Sequence, residues 1–61
     1  MLVELRQAGS EALLDRLDLE NAPQPGRWLD TEEQSFLVLQ RRHRYTVRSG
    51  SYEIASVALL V

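Results

Sequence analysis

A run of arginine and aromatic residues is the part of this sequence best suited to binding chemistry. Residues 40–45 read Gln-Arg-Arg-His-Arg-Tyr, and a further arginine and tyrosine follow within seven positions. Guanidinium groups bind phosphates and carboxylates through paired hydrogen bonds, and aromatic rings stack on nucleic-acid bases. We take the candidate contact patch to comprise Arg41, Arg42, His43, Arg44, Tyr45, Arg48 and Tyr52.

The same run offers little for catalysis, and we predict no catalytic residue and no enzyme activity. His43 is the single histidine and is flanked by arginines. A histidine that acts as a general base needs a carboxylate to orient it. The nearest candidate is Glu53, across a predicted hairpin, so we interpret His43 as an ordinary turn or surface residue.

Metal and cofactor sites are not expected from the residue types present. The chain has no cysteine and one histidine, which excludes disulfides, thiolate zinc sites and histidine-rich sites. The acidic residues between Asp15 and Glu20 lack the spacing, the central glycine and the final glutamate of a calcium-binding loop. No glycine-rich phosphate loop or nucleophile elbow occurs, so we predict no cofactor.

Charge is divided unequally along the chain. Three arginines and eight acidic residues in positions 1–33 make a net charge of −5, whereas four arginines and one glutamate in positions 34–61 make +3. The total is −2, and every basic residue is arginine. Because most nucleic-acid-binding domains are basic overall, a nucleic-acid module is the alternative hypothesis rather than the first.

The first half of the sequence predicts short elements separated by clear breaks. Leu2–Arg6 is a candidate strand that ends before Gly9-Ser10. Residues 10–19 fit either a short helix, capped by Ser10, or a strand, and we favour the helix. The prolines and glycine of Asn21–Gly26 then interrupt regular structure.

From Gly26 onward the pattern is typical of β-structure. Arg27–Leu29 is a candidate strand with Trp28 in the core, and Asp30–Glu33 a hairpin loop. Ser35–Gln40 is apolar on both faces, which predicts a central strand that buries Phe36, Val38 and Leu39. A helix over residues 31–43 is the alternative interpretation, because acidic residues at its start and arginines near its end would suit the helix dipole.

The C-terminal third predicts a β-hairpin. Arg44–Arg48 alternates, with Tyr45 and Val47 on one face, so we expect exposed side chains at Arg41, Arg42, Arg44 and Arg48. Ser49-Gly50-Ser51 is a turn, and β-forming residues follow it to Val61. Ile54–Val61 contains no charge, proline or glycine, so it is too apolar to remain an exposed edge. It must be covered either as an inner strand of its own sheet or by a second copy, and we favour a homodimer through Ile54–Val61.

Several segments of the second half resemble a family of short uncharacterised cyanobacterial proteins. They are Gly26–Leu29, Val38–Tyr45, Arg48–Ile54 and Val57–Leu59, so the resemblance covers residues 26–61. It implies a cyanobacterial cytoplasm and carries no mechanism. A cytoplasmic location also agrees with the absence of a signal peptide and of a long apolar run.

These observations predict one small, mainly β domain spanning residues 1–61. The expected fold is a three- or four-stranded antiparallel meander or SH3-like roll, with a short N-terminal helix or strand, and a small α+β fold is the variant. The expected function is a non-catalytic protein-interaction or structural module. The alternative is a small nucleic-acid-binding module that uses the arginine- and tyrosine-rich hairpin. A different protein is a further candidate partner. We expect no association with a membrane.

Overall fold

Six β-strands and no helix make up the computed structural model, which describes residues 1–61. In chain order they are β1 (Leu2–Arg6), β2 (Leu13–Asp18), β3 (Trp28–Asp30), β4 (Ser35–Leu37), β5 (Gln40–Arg48) and β6 (Ser51–Leu60). The mainly β prediction is therefore confirmed, and neither predicted helix forms.

The strands form a four-stranded sheet of order β2-β1-β6-β5 and a two-stranded sheet of β3 and β4. The larger sheet is mixed rather than wholly antiparallel, because β1 and β6 pair in parallel, with Val3 opposite Val57 and Leu5 opposite Leu59. This pairing joins the two ends of the chain, more than fifty residues apart. No local pattern signals such a contact, which is why the sequence predicts a meander instead.

Residues 13–18 form a strand where we predicted a helix. β2 pairs antiparallel with β1, from Leu2 opposite Asp18 to Arg6 opposite Leu13. Gly9 and Glu11 turn the chain with positive φ, and the Ala12 amide donates to the Ser10 hydroxyl at 3.3 Å. Pairing with a neighbouring strand thus overrides the weak helix propensity of this segment.

The core lies between the inner strands of the sheet and the small β3–β4 unit, which we call the lobe (residues 28–37). Val3, Leu5, Val57 and Leu59 are fully buried on one face of β1 and β6. Leu29 and Val38 complete the buried cluster from the other side. The face of the sheet that carries the core is called the inner face below.

The predicted central strand over Ser35–Gln40 is wrong. Ser35–Leu37 forms β4, which pairs with β3 alone, with Phe36 opposite Leu29, and Gln40 already begins β5. Val38 is buried as predicted, but Phe36 is only partly buried and Leu39 is 57% exposed. The apolar run is buried unevenly because the chain leaves the lobe at Val38 to enter β5.

Trp28 is also not the core residue that we expected, since it is 62% exposed. In the three-residue strand β3, successive side chains point to opposite faces. Leu29 points into the core, so Trp28 and Asp30 point away from it. The predicted strand and the loop before β4 are present, each displaced by one residue, at Trp28–Asp30 and at residues 31–34.

Candidate functional site

The β5–β6 hairpin extends well beyond the rest of the sheet. β1 accompanies β6 only from Val57 to Leu60. A register shift lies between Arg44 and Tyr45, where Ala55 has no partner. Every residue from position 45 to position 55 is exposed. We call this projecting two-stranded segment, residues 45–55, the ribbon.

The tip of the ribbon is the predicted turn. Ser49 and Gly50 have φ of 51° and 78°, and Arg48 pairs with Ser51 across them. Two successive residues with positive φ form the turn whose twist matches that of an antiparallel hairpin. The ribbon is thus held by its own turn and by β5–β6 pairing, and no third strand supports it.

One face of the ribbon is apolar and uncovered. Tyr45 pairs with Ile54, and Val47 pairs with Tyr52. Opposite residues share a face, as do residues two apart in a strand, so these four side chains lie together. They range from 50% exposed at Ile54 to 77% at Tyr52. We call this set the ribbon face; it continues the inner face of the sheet.

The opposite face of the hairpin is charged. Arg44, Thr46 and Arg48 alternate with the apolar residues of β5, and Thr46 lies opposite Glu53. The Arg48 Nε atom lies 3.6 Å from Glu53 Oε2. Arg44 forms no ion pair. Arginines and tyrosines that are adjacent in the sequence therefore lie on opposite sides of the strand.

The predicted contact patch is consequently divided. Arg41, His43, Tyr45 and Tyr52 lie on the inner-face side, whereas Arg42, Arg44 and Arg48 lie on the outer side. Arg41 is partly buried, and its Nη1 donates to the Ala22 carbonyl at 3.1 Å. His43 stacks on Tyr45 with ring centroids 6.4 Å apart. The prediction that all four arginines are exposed is thus confirmed for Arg42, Arg44 and Arg48 and wrong for Arg41.

Sequence reasoning missed two members of the ribbon face, Val47 and Ile54, as contact residues. It placed Val47 beside Tyr45 by alternation but took only charged and aromatic residues as candidates. It also treated Ile54 as part of a buried C-terminal segment. The alternation of Tyr45 and Val47 was the available signal, but exposure could not be read from it.

A second feature is a polar depression of about 450 Å³ on the outer face of the sheet. The small side chains of Ser56 and Ala58 form its floor, and its charged lining comprises Glu4, Arg6, Glu11, Arg42 and Arg44. Its residues come from β1, the β1–β2 loop, β5 and β6, so no sequence motif could have indicated it.

Most charges in this depression are already paired. The partly buried Glu4 carboxylate lies 3.4 Å from Arg6 and 3.9 Å from Arg16. Arg42 Nη1 donates to Glu11 Oε1 at 2.5 Å. The arrangement closes the β1–β2 loop over the sheet, so we interpret it as structural rather than as a ligand site.

Two further findings concern the chain as a whole. No three His, Asp or Glu side chains converge in a way that could hold a metal ion. No helix is present that is long and apolar enough to cross a membrane.

The fold and the exposed ribbon define a small, mainly β domain with a projecting hairpin. The chain belongs to a family described as "Family of unknown function (DUF6464)", whose model matches residues 12–61. The matched span leaves out β1, which lies between β2 and β6 in the sheet. No curated protein and no solved structure matches the chain significantly.

Proposed function

We propose that this domain is a non-catalytic protein-binding module whose contact surface is the ribbon face. The observation that carries the proposal is the uncovered cluster of Tyr45, Val47, Tyr52 and Ile54 on an otherwise unsupported strand pair. A monomeric protein gains stability from burying such side chains, at about 25 cal/mol for each Å². Exposure of all four on one face is therefore more consistent with a partner surface than with a purely structural hairpin.

The composition of the ribbon face supports a protein partner. Tyrosine is enriched at the centres of protein interfaces because it buries a large area and still carries a hydroxyl for hydrogen bonding. Val47 and Ile54 flank the two tyrosines with rigid β-branched side chains. The outer edge of β5 has no neighbouring strand, so a partner could also bind by adding a strand.

Binding of nucleic acid is the second candidate, and the division of the patch weakens it. Single-stranded nucleic acid is bound where cationic and aromatic side chains share one groove. Here Arg42, Arg44 and Arg48 lie on the face opposite Tyr45 and Tyr52, and two of the three are ion-paired. A salt titration with mixed oligonucleotides tests this candidate: tight, steeply salt-dependent binding would favour it over a protein partner.

The protein-binding proposal is tested by affinity capture from the source lysate with quantitative mass spectrometry. The test variant is Tyr52→Ser combined with Ile54→Thr, which removes the apolar character but keeps strand-compatible residues. Trp28→Ser is the matched control, because Trp28 is an exposed aromatic residue of the lobe. We expect specific partners to be lost with the ribbon variant and kept with the control. Equal recovery with both variants would contradict the proposal.

The cyanobacterial source and cytoplasmic location expected from the sequence belong to the same proposal. The capture experiment does not depend on either expectation, because it uses a lysate of the organism that produces the protein.

A further inference from the structure

The two free edges of the four-stranded sheet carry opposite charge. β2 forms one edge and contains Asp15, Arg16 and Asp18, and Glu20 follows two residues beyond its end. The exposed Asp18 carboxylate lies 3.0 Å from the N-terminal amine. β5 forms the other edge and contains Arg41, Arg42, Arg44 and Arg48 without any acidic residue. The charge asymmetry of the sequence is thus arranged in space as an acidic edge and a basic edge.

We infer that β5 of one copy pairs with β2 of a second copy, joining the molecules head to tail. The inference rests on the proposed function and names the protein partner as a second copy of this chain. Unpaired edge strands recruit other strands unless charge or proline prevents it. Like-charge contacts oppose pairing of β5 with β5 or of β2 with β2, whereas β5 with β2 is complementary.

The directions of the strands agree with this arrangement. β1 runs parallel to β6 and antiparallel to β2, and β6 runs antiparallel to β5, so β2 and β5 point the same way. A second copy that continues the sheet with the same face inward therefore forms a parallel β5–β2 pair. The ribbon face of the first copy then lies on the same side as the lobe of the second.

The β2 edge also offers a receptor for apolar side chains. A notch of about 160 Å³ lies between β2 and the lobe, with Leu14 and Phe36 in its lining and Asp15 and Glu33 beside them. Tyr45 and Val47 of the ribbon face supply apolar side chains for such a notch, while Arg44 and Arg48 lie on the outer side of the same strand.

The position of β6 in the sheet also limits the dimer expected through Ile54–Val61. β6 is an inner strand, paired with β5 over Ser51–Leu60 and with β1 over Val57–Leu60. Its free edge is confined to residues 51–56, within the hairpin. Self-association by strand addition can therefore use only residues 54–56 of the expected segment, whereas β2 and β5 each have one edge free along their whole length.

Charge reversal at each edge tests the inference. The basic-edge variant is Arg44→Glu with Arg48→Glu, and the acidic-edge variant is Asp15→Arg with Asp18→Arg. We expect the wild type to associate at about 100 µM in low salt, in a regime accessible to sedimentation velocity. Each variant alone should associate roughly a hundredfold more weakly, because like charges then face each other. An equimolar mixture of the two variants should recover association.

A variant with reversed charges on the lobe, Asp30→Arg with Glu32→Arg, controls for the change in net charge. It has the same net charge as the acidic-edge variant but leaves β2 and β5 unchanged. Measured alone, it should therefore associate as the wild type does. A loss of association as large as that of the acidic-edge variant would mean that net charge rather than the β2 edge governs association, and would overturn the inference.

Cross-linking supplies a readout that does not depend on charge. The chain has no cysteine, so single cysteines at Thr46 in β5 and at Arg16 in β2 are unique sites. With a short bismaleimide, we expect Thr46→Cys to link to Arg16→Cys and not to itself. Predominant links between two Thr46→Cys chains, or a wild-type monomer at about 100 µM, would overturn the inference. The capture experiment on the ribbon face would still decide the proposed function separately.

Discussion

The base and the ribbon of the β5–β6 hairpin follow the same alternating pattern, but only the base is buried. At its base, Val57 and Leu59 are fully buried opposite His43 and Arg41. In the ribbon, Tyr45 and Ile54 face each other on the same side of the sheet and remain at least half exposed. The difference lies in what covers them, because β1 and the lobe reach the base but not the ribbon.

This comparison shows that alternation specifies a face and not its burial. A strand pair with one apolar face can be a core element or a contact surface, depending on whether other parts of the chain reach it. In a chain of 61 residues there are few elements to do so. The base is therefore the part that stabilises the fold, and the ribbon is the part left free to bind.

The largest expected difference is between two truncations in β6. Leu59→Ala should lower the free energy of unfolding by about 2–5 kcal/mol, since it creates a cavity in the core. Ile54→Ala, in the same strand but in the ribbon, should cost about 0.5 kcal/mol or less. Urea denaturation measures both. Similar costs at the two sites would show that the ribbon is part of the core.

Hydrogen exchange should separate the two regions next. Amides of Val57–Leu59 are flanked by strands on both sides and should exchange only through global opening. Amides of Thr46–Arg48 should open locally and show protection about a hundredfold lower. Amide exchange followed by NMR provides the measurement. Uniform protection along the hairpin would mean that it opens as one unit with the core.

A smaller effect is expected at the turn that holds the ribbon. Gly50 has a φ of 78°, which a residue with a Cβ adopts at a cost. Gly50→Ala should therefore destabilise the protein by about 1 kcal/mol. Ser49→Asn is the control, because asparagine tolerates positive φ and precedes glycine in this type of turn. Thermal denaturation should show a lower Tm for the first and an unchanged or higher Tm for the second.

The smallest effect is expected for the ion pair that links the β1–β2 loop to the base of the hairpin. Glu11 and Arg42 are both about half exposed in their side chains, at 50% and 48%. A double-mutant cycle with Glu11→Gln and Arg42→Gln should give a coupling of about 0–1 kcal/mol, reduced by high salt. A salt-insensitive coupling well above this range would place the pair in a buried network and make the loop part of the core.

Sequence reasoning succeeded for elements defined by nearest neighbours along the chain. Ser49-Gly50 is a turn because glycine supplies positive φ, and the alternation of Tyr45 and Val47 set the face of β5. It failed at Trp28, Phe36 and Leu39, whose burial depends on where the lobe packs. It also favoured a helix for residues 10–19. Residues 13–18 form a strand instead because they pair with β1, and local propensity does not encode that pairing.

The candidate site shows the same division. The arginine–tyrosine segment and the unequal distribution of charge are both evident from the order of the residues alone. Alternation already predicted that Arg44 and Arg48 lie opposite Tyr45. Only the tertiary structure showed that Arg42 lies on that side as well, paired with Glu11, and that an acidic β2 edge and a basic β5 edge bound the sheet.

By itself, the sequence determined that this is a small β-rich chain without cysteine, with a tight hairpin and an unequal distribution of charge. The tertiary structure decided that β6 is an inner strand, that β1 joins it in parallel, and that the ribbon extends past both β1 and the lobe. The physical reason is that turns and alternation depend on adjacent residues. Burial depends instead on segments far apart in sequence, whose pairing is settled only when the whole chain packs.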